Sequence, residues 1–250
     1  MSSASTPYGG NSPVSTATSI SQTYFPPVEI ETDGILFDLD GTLMLSTECV
    51  EMFWHDFGVN HNIDSHELLR TSHGRRTIDI LRQWKPEMAD AKTSSELEAT
   101  IPVRWASFAT PVPGVHQLHD ALPPTQWGIV TSGTYAMASG WLKHFLHFDL
   151  PQVFVTAEDV KEGKPDPSGY KLGAKRLGLD KFLVFEDAPA GIKAGKDAGA
   201  IVIGMATTYT PDIVKAAGAD YVIRDLHSVQ VNGFDPQTKK LSLTLVDVVC

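Results

Sequence analysis

Short apolar runs and amphipathic stretches alternate along most of this chain. Ile35–Phe37, Trp127–Val130, Val153–Val155, Phe182–Phe185, Ile201–Gly204 and Tyr221–Ile223 are each bounded by turn residues and too short for helices. They predict buried strands. Between them, Tyr135–Phe145, Pro167–Leu177, Ala190–Ala198 and Asp212–Ala217 carry helical patterns, several closing on a glycine (Gly178, Gly199, Gly218). This rhythm predicts an α/β fold, a mainly parallel sheet covered by helices on both faces.

The rhythm breaks once. Between Thr42 and Pro111 the pattern is helical throughout: Glu48–Phe57, Ser65–Thr71, Thr77–Trp84 and Ser94–Phe108, with Ser46 and Asp64 as N-caps and Gly58 as a C-terminal stop. Residues 46–111 therefore predict a helical insertion over the sheet's ligand-binding edge, and residues 30–45 with 112–250 the core. Near the carboxyl end Leu241–Leu245 alternates strictly, and Val229–Val231 can pair with it across Asp235-Pro236. That predicts a C-terminal β-hairpin extending the edge of the sheet. The Ser/Thr/Pro/Gly-rich start predicts a disordered tail over residues 1–29.

Composition narrows the partners. With 250 residues and 42% hydrophobic content the chain can bury a substantial core. A formal net charge of -10 argues against nucleic acid and acidic membrane surfaces. The two cysteines, Cys49 and Cys250, cannot build a disulfide framework, and no apolar run is long enough to span a bilayer. The tail has neither the apolar core of a secretory signal nor the arginines of a transit peptide, Arg70 being the first basic residue. A cytoplasmic monomer is expected.

Four polar groups then interrupt the core where strands should end. Asp38 and Asp40, in Asp38-Leu39-Asp40-Gly41-Thr42, follow the first apolar run. Two carboxylates there suggest a cation site, an acid/base pair or a nucleophile. Thr131-Ser132-Gly133-Thr134 offers hydroxyls, successive N–H groups and a helix start, a combination that cradles phosphate. Lys164, between Gly163 and Pro165, is a point charge able to neutralise phosphate oxygens. Glu186 and Asp187 close another apolar run; adjacent buried carboxylates repel unless a cation compensates them, and hard oxygens suit Mg²⁺. Strand ends of a parallel sheet converge on one crevice, and together these groups amount to a phosphoryl-transfer apparatus.

These motifs resemble those of the haloacid-dehalogenase superfamily. Phe53-Trp54-His55-Asp56-Phe57-Gly58, Ser72-His73-Gly74-Arg75-Arg76-Thr77 and Val184-Phe185-Glu186-Asp187-Ala188-Pro189-Ala190-Gly191 resemble its branch of glycerol-phosphate and 2-deoxyglucose-6-phosphate phosphatases. The resemblance implies a Rossmann-like core with a small, C1-type helical cap. It implies Asp38 as the nucleophile that forms an aspartyl-phosphate and Asp40 as the acid and base. Mg²⁺ would be held by Asp38, the Asp40 carbonyl and Asp187, with Glu186 close by, and phosphate by Thr131, Ser132 and Lys164. Arg76 and His73 in the cap would face the hydroxyls of a small phosphorylated polyol or sugar, glycerol 1- or 3-phosphate first and 2-deoxyglucose 6-phosphate second. Asp40 argues against dehalogenation, because dehalogenases of this superfamily lack it. A sugar-phosphate mutase on the same core, or a non-catalytic sensor, stays open at this stage.

Overall fold

The continuously apolar runs are buried, as strands covered on both faces require. The computed structural model describes residues 25–72 and 74–250, so residues 1–24 of the expected tail lie outside the described residues, as does His73. Strand β1 (Val28–Thr32) leads across Asp33 into β2 (Gly34–Phe37). The two-residue strands β3 (Met44–Leu45) and β4 (Thr110–Pro111) flank helices α1 (Thr47–His61), α2 (Ser65–Ser72), α3 (Thr77–Trp84), α4 (Ala91–Glu98) and α5 (Ile101–Arg104). Helix α6 (Val115–Ala121) then opens a regular alternation: β5 (Trp127–Val130), α7 (Tyr135–Trp141), β6 (Val153–Val155), α8 (Ser168–Leu177), β7 (Phe182–Glu186), α9 (Pro189–Asp197), β8 (Ile201–Met205), α10 (Pro211–Ala216) and β9 (Tyr221–Ile223). Strands β10 (Val229–Asp235) and β11 (Lys240–Leu245) end the chain.

Six strands form one sheet in the order β6-β5-β2-β7-β8-β9, and every neighbouring pair is parallel. Alternation along β2 distributes its side chains between two cores. Ile35 and Phe37 join Ile129 and Phe185 on one face, while Leu36 joins Val130, Val184 and Tyr170 on the other. Each central strand is thereby anchored from both sides. The carboxyl ends of β5, β2 and β7 stand next to one another, and the residues that follow them share a crevice.

The hairpin forms, but not at the edge of this sheet. β11 pairs antiparallel with β10 on one side and β1 on the other, giving a separate three-stranded sheet. Val28 and Glu29, expected in the disordered tail, oppose Leu245 and Thr244 instead. Their partners lie at the far end of the sequence, beyond the reach of any local pattern.

β3 and β4 pair antiparallel, so the helical run leaves and re-enters the core at neighbouring points. Its interior is aromatic: Phe53 packs against Trp54 with ring centroids 4.8 Å apart and against Trp105 at 6.1 Å. Three local expectations change here. Gly58 lies inside α1, which runs on to a left-handed Asn62; a Cβ at Gly58 would stand 3.0 Å from the Ile63 carbonyl oxygen. The helix expected over Ser94–Phe108 divides into α4 and α5, with Pro102 in the first turn of α5. Asp64 does accept the His66 N–H at 2.9 Å, whereas Ser46 makes no side-chain cap bond and its hydroxyl donates to a carboxylate instead.

Candidate active site

Asp38 stands one residue beyond the end of β2 and is buried. The next turn folds onto a single acceptor: the N–H groups of Thr42, Leu43 and Met44 all donate to the Leu39 carbonyl, at 3.2, 2.9 and 3.0 Å. Gly41, at φ 84°, lies where a Cβ would overlap the Asp187 carboxylate, so the position requires glycine. Asp40 sits at the cleft, and the Ser46 hydroxyl donates to its Oδ1 at 2.5 Å. Burial raises the Asp40 carboxyl above its ordinary range, against the pull of Ser46 and Lys164.

After β5, the Thr131 Oγ1 accepts the Gly133 N–H at 2.9 Å, which leaves its own proton available. The Ser132 hydroxyl reaches across to the Gly74 carbonyl of the helical insertion at 2.8 Å, while its backbone N–H is unpaired among the described residues. Ser132 therefore offers a ligand its main chain; its side chain holds the insertion.

Lys164 lies in the connection between β6 and α8, ahead of Pro165 across a cis peptide bond. Its ammonium donates to Asp38 Oδ1 and, at 2.6 Å, to Glu186 Oε1. Glu186 also accepts from the Tyr170 hydroxyl at 2.9 Å and the Ala188 N–H at 3.0 Å. Close packing fixes it further, since a Cβ on Gly191 would collide with its carboxylate. Asp187 is less engaged: Thr42 Oγ1 is 3.5 Å from its Oδ1, and the Thr208 hydroxyl favours its ionised form.

Electrostatically the cluster is unbalanced. Burial drives the Asp38 carboxyl well above its usual range; Lys164 opposes this, while Glu186 and Asp187 add to it. Burial and then Glu186 push Asp187 up to about 7. Burial works against the Lys164 charge, yet Asp38 and Glu186 outweigh it and raise the ammonium above the ordinary lysine range. One oxygen each from Asp38, Glu186 and Asp187 lie within 4.8 Å of one another, all buried, with one ammonium against three carboxylates. The Asp40 carbonyl accepts no backbone N–H among the described residues. An all-oxygen, electron-rich donor set of this kind fits a hard divalent cation.

A cleft of about 70 Å³ connects these groups to the insertion, lined by Asp38, Asp40, Thr131, Ser132, Glu186 and Asp187 on the core side. It is small beside the ~300–1,000 Å³ of drug-sized ligand pockets, which favours a compact ligand. Lys164 borders a smaller neighbouring cavity that also has Thr131 and Ser132 in its wall.

Arg76 does not face the main cleft. Its Nε and Nη2 grip Asp79 at 2.7 and 3.0 Å, and its terminal nitrogens also donate to the carbonyls of Ala157, Val160 and Lys161 at 3.4, 2.6 and 2.8 Å. These bonds use all five guanidinium N–H groups, so none is left for a hydroxyl. Arg76 is a strut from the insertion to the segment before Lys164. Arg76→Lys is expected to lower the unfolding free energy by about 2–3 kcal/mol, because an ammonium replaces only part of the fork and strands buried carbonyls. Urea denaturation would measure this, and a change under about 0.5 kcal/mol would rule the strut out. Arg75 lines the cleft instead. His73 lies outside the described residues.

Several site residues carry no local signal in the sequence. Ser46 reads as an N-cap, Tyr170 as one face of a helix, and Thr208 as part of a loop, yet they touch Asp40, Glu186 and Thr47 respectively. Glu98, at the end of α4, is buried in the cleft wall.

Residues 32–199 match the family model described as haloacid dehalogenase-like hydrolase. The chain is 38% identical over 234 residues to glycerol-1-phosphate phosphohydrolase 2 of Saccharomyces cerevisiae, covering 88% of this chain and 93% of that one. It is 38% identical over 225 residues to 2-deoxyglucose-6-phosphate phosphatase 1 of the same organism, covering 81% and 92%. Among solved structures, a hydrolase from Pseudomonas syringae superposes with a TM-score of 0.67 at 28% identity, covering 77% of this chain and 94% of that one.

Proposed function

The chain belongs to the haloacid dehalogenase-like hydrolase family, and on that premise we propose that it hydrolyses a small polyol or sugar phosphate, glycerol 1- or 3-phosphate first and 2-deoxyglucose 6-phosphate second. The observation that carries the reading is Asp38, held beside Lys164, Glu186 and Asp187 at a cleft that the helical insertion helps to line. In this reading residues 46–111 act as a cap on a core of residues 30–45 and 112–250. The acidic composition suits a cytoplasmic monomer, and no helix among the described residues is long and apolar enough to cross a membrane.

Asp38 attacks the phosphorus, and the bond from phosphorus to the alcohol oxygen breaks as the Asp38 acyl phosphate forms. Asp40, oriented by Ser46, protonates the departing alkoxide. With the alcohol gone, Asp40 accepts a proton from the water that attacks the phosphorus, the Asp38 oxygen–phosphorus bond breaks, and inorganic phosphate leaves a free Asp38 carboxylate. The Thr131 hydroxyl, the Ser132 N–H and Lys164 bind phosphoryl oxygens and favour the charge that develops on them. Mg²⁺, held by Asp38, the Asp40 carbonyl and Asp187, would supply Lewis-acid neutralisation of that charge. Glu186 keeps Lys164 in place rather than acting as a direct ligand.

The test is phosphate release by the purified chain from a panel of polyol and sugar phosphates. Turnover is expected with Mg²⁺, without priming by any bisphosphate, and to vanish with excess EDTA. Product formation that needs a bisphosphate and frees no phosphate would instead identify a mutase.

A further inference from the structure

We infer that Glu98 determines specificity by accepting a hydrogen bond from a substrate hydroxyl, which makes the end of α4 the part of the insertion that distinguishes a polyol phosphate from a plain alkyl phosphate. The inference rests on the phosphatase reading and goes beyond it, because the core groups account for the phosphoryl end of the ligand alone.

The cleft wall contributed by the insertion is mostly apolar or hydroxylic, with Val50, Trp54, Thr77 and Ile101. Among the described residues of that wall, Glu98 is the one carboxylate and Arg75 the one cation. Glu98 is 4% exposed, and among the described residues no cation pairs with it. Its Oε1 accepts the Thr77 hydroxyl at 2.5 Å, and its Oε2 accepts the Thr134 N–H at 2.6 Å. A carboxylate has about four lone-pair positions. Two are filled, the Thr134 hydroxyl also acts on the carboxylate, and what remains belongs to a side chain in the wall of the cleft.

A buried carboxylate without a cation is costly, and burial pushes the Glu98 carboxyl up to about 7. It also stands in the field of Asp40 and repels an incoming phosphate. A tie between insertion and core needs none of this. Glutamine would bridge Thr77 and Thr134 with the same reach and no buried charge. The charge serves a donor that arrives with the ligand, and a hydroxyl on the carbon chain beside the phosphate is such a donor. Arg75 complements it: Nη1 is held by the Thr71 carbonyl at 3.1 Å and Gln83 at 3.3 Å, while Nη2 has no partner among the described residues. The same chamber thus offers a polyol one acceptor and one donor.

The experiment compares glycerol 3-phosphate with n-propyl phosphate, which has the same carbon chain and no free hydroxyl. The full chain is assayed with Mg²⁺, as wild type and as Glu98→Gln. Wild type is expected to prefer the glycerol ester. In Glu98→Gln, kcat/KM for that ester should fall about 10- to 100-fold, the worth of a hydrogen bond to a charged group, and that for the propyl ester should change less than about twofold. Equal losses on both esters, or no loss on either, overturn the inference. So does a wild type that turns over the two esters equally well, a result that does not depend on the variant folding. A wild type that frees phosphate from no ester at all overturns the phosphatase reading itself, and the specificity role with it.

Discussion

Asp38→Asn is expected to lower Mg²⁺-dependent phosphate release by about 10,000-fold or more, while the protein stays folded with an unchanged or higher melting temperature. The loss follows from the chemistry: a carboxamide has no oxygen nucleophile able to form the acyl-phosphate, and removal of a catalytic nucleophile can cost about 10⁶ in kcat. The retained fold follows from the charge balance. Asp38 is buried with Glu186 and Asp187 within reach, and burial together with those neighbours disfavours its ionised form. A neutral amide of the same shape removes that repulsion, and Lys164 keeps its bond to Glu186. Paired measurements of turnover and thermal unfolding check both halves. A variant that keeps a tenth of the activity would exclude Asp38 as the attacking group, whatever its stability.

The parts legible in the sequence are those whose signals are local. Ile35–Phe37, Trp127–Val130 and Phe182–Phe185 are continuously apolar because neighbours cover both their faces, and each run is followed directly by a site residue. Asp38, Thr131 and Glu186-Asp187 were therefore readable as neighbours across the sheet before any contact was known. What stayed illegible depends on packing between distant segments. Arg75 and Arg76 are adjacent and chemically identical, yet one lines the cleft and the other is locked onto carbonyls over eighty residues away in sequence. Ser46 occupies a cap position, but its hydroxyl donates to the Asp40 carboxylate, a charge-assisted bond, and its oxygen accepts no N–H of α1. Glu98 lies in an ordinary solvated-helix pattern, and only the approach of Thr77 and Thr134 turns it into a buried carboxylate. β1 was hidden for the same reason: its pairing partner is β11.

Lys164→Ala should be the most destabilising change in the site, and its cost should depend on Mg²⁺. The Lys164 ammonium bonds both Asp38 and Glu186, and its side chain is only 8% exposed. Alanine leaves two buried carboxylates facing each other with Asp187 beside them. Removing one member of a buried ion pair costs about 3–5 kcal/mol, because the remaining charge loses its partner without regaining water. For a chain of this length that corresponds to a fall in Tm of roughly 6–20 °C. Conservative hydrophobic replacement does not avoid the penalty, since the deficit is one of charge and not of volume. A divalent cation addresses the same deficit: it binds the native carboxylates and not the unfolded chain, and at 100 times its Kd it contributes about 2.7 kcal/mol. Added Mg²⁺ is therefore expected to raise the Tm of Lys164→Ala more than that of the wild type, in which Lys164 already meets part of the need. Turnover should stay low even at saturating Mg²⁺, because the phosphoryl oxygens have lost their point charge. Calorimetry of both proteins with and without Mg²⁺ measures the difference. Equal Mg²⁺-induced shifts would mean that lysine and metal do not share the carboxylate cluster, and the charge-balance account of the site would then be wrong.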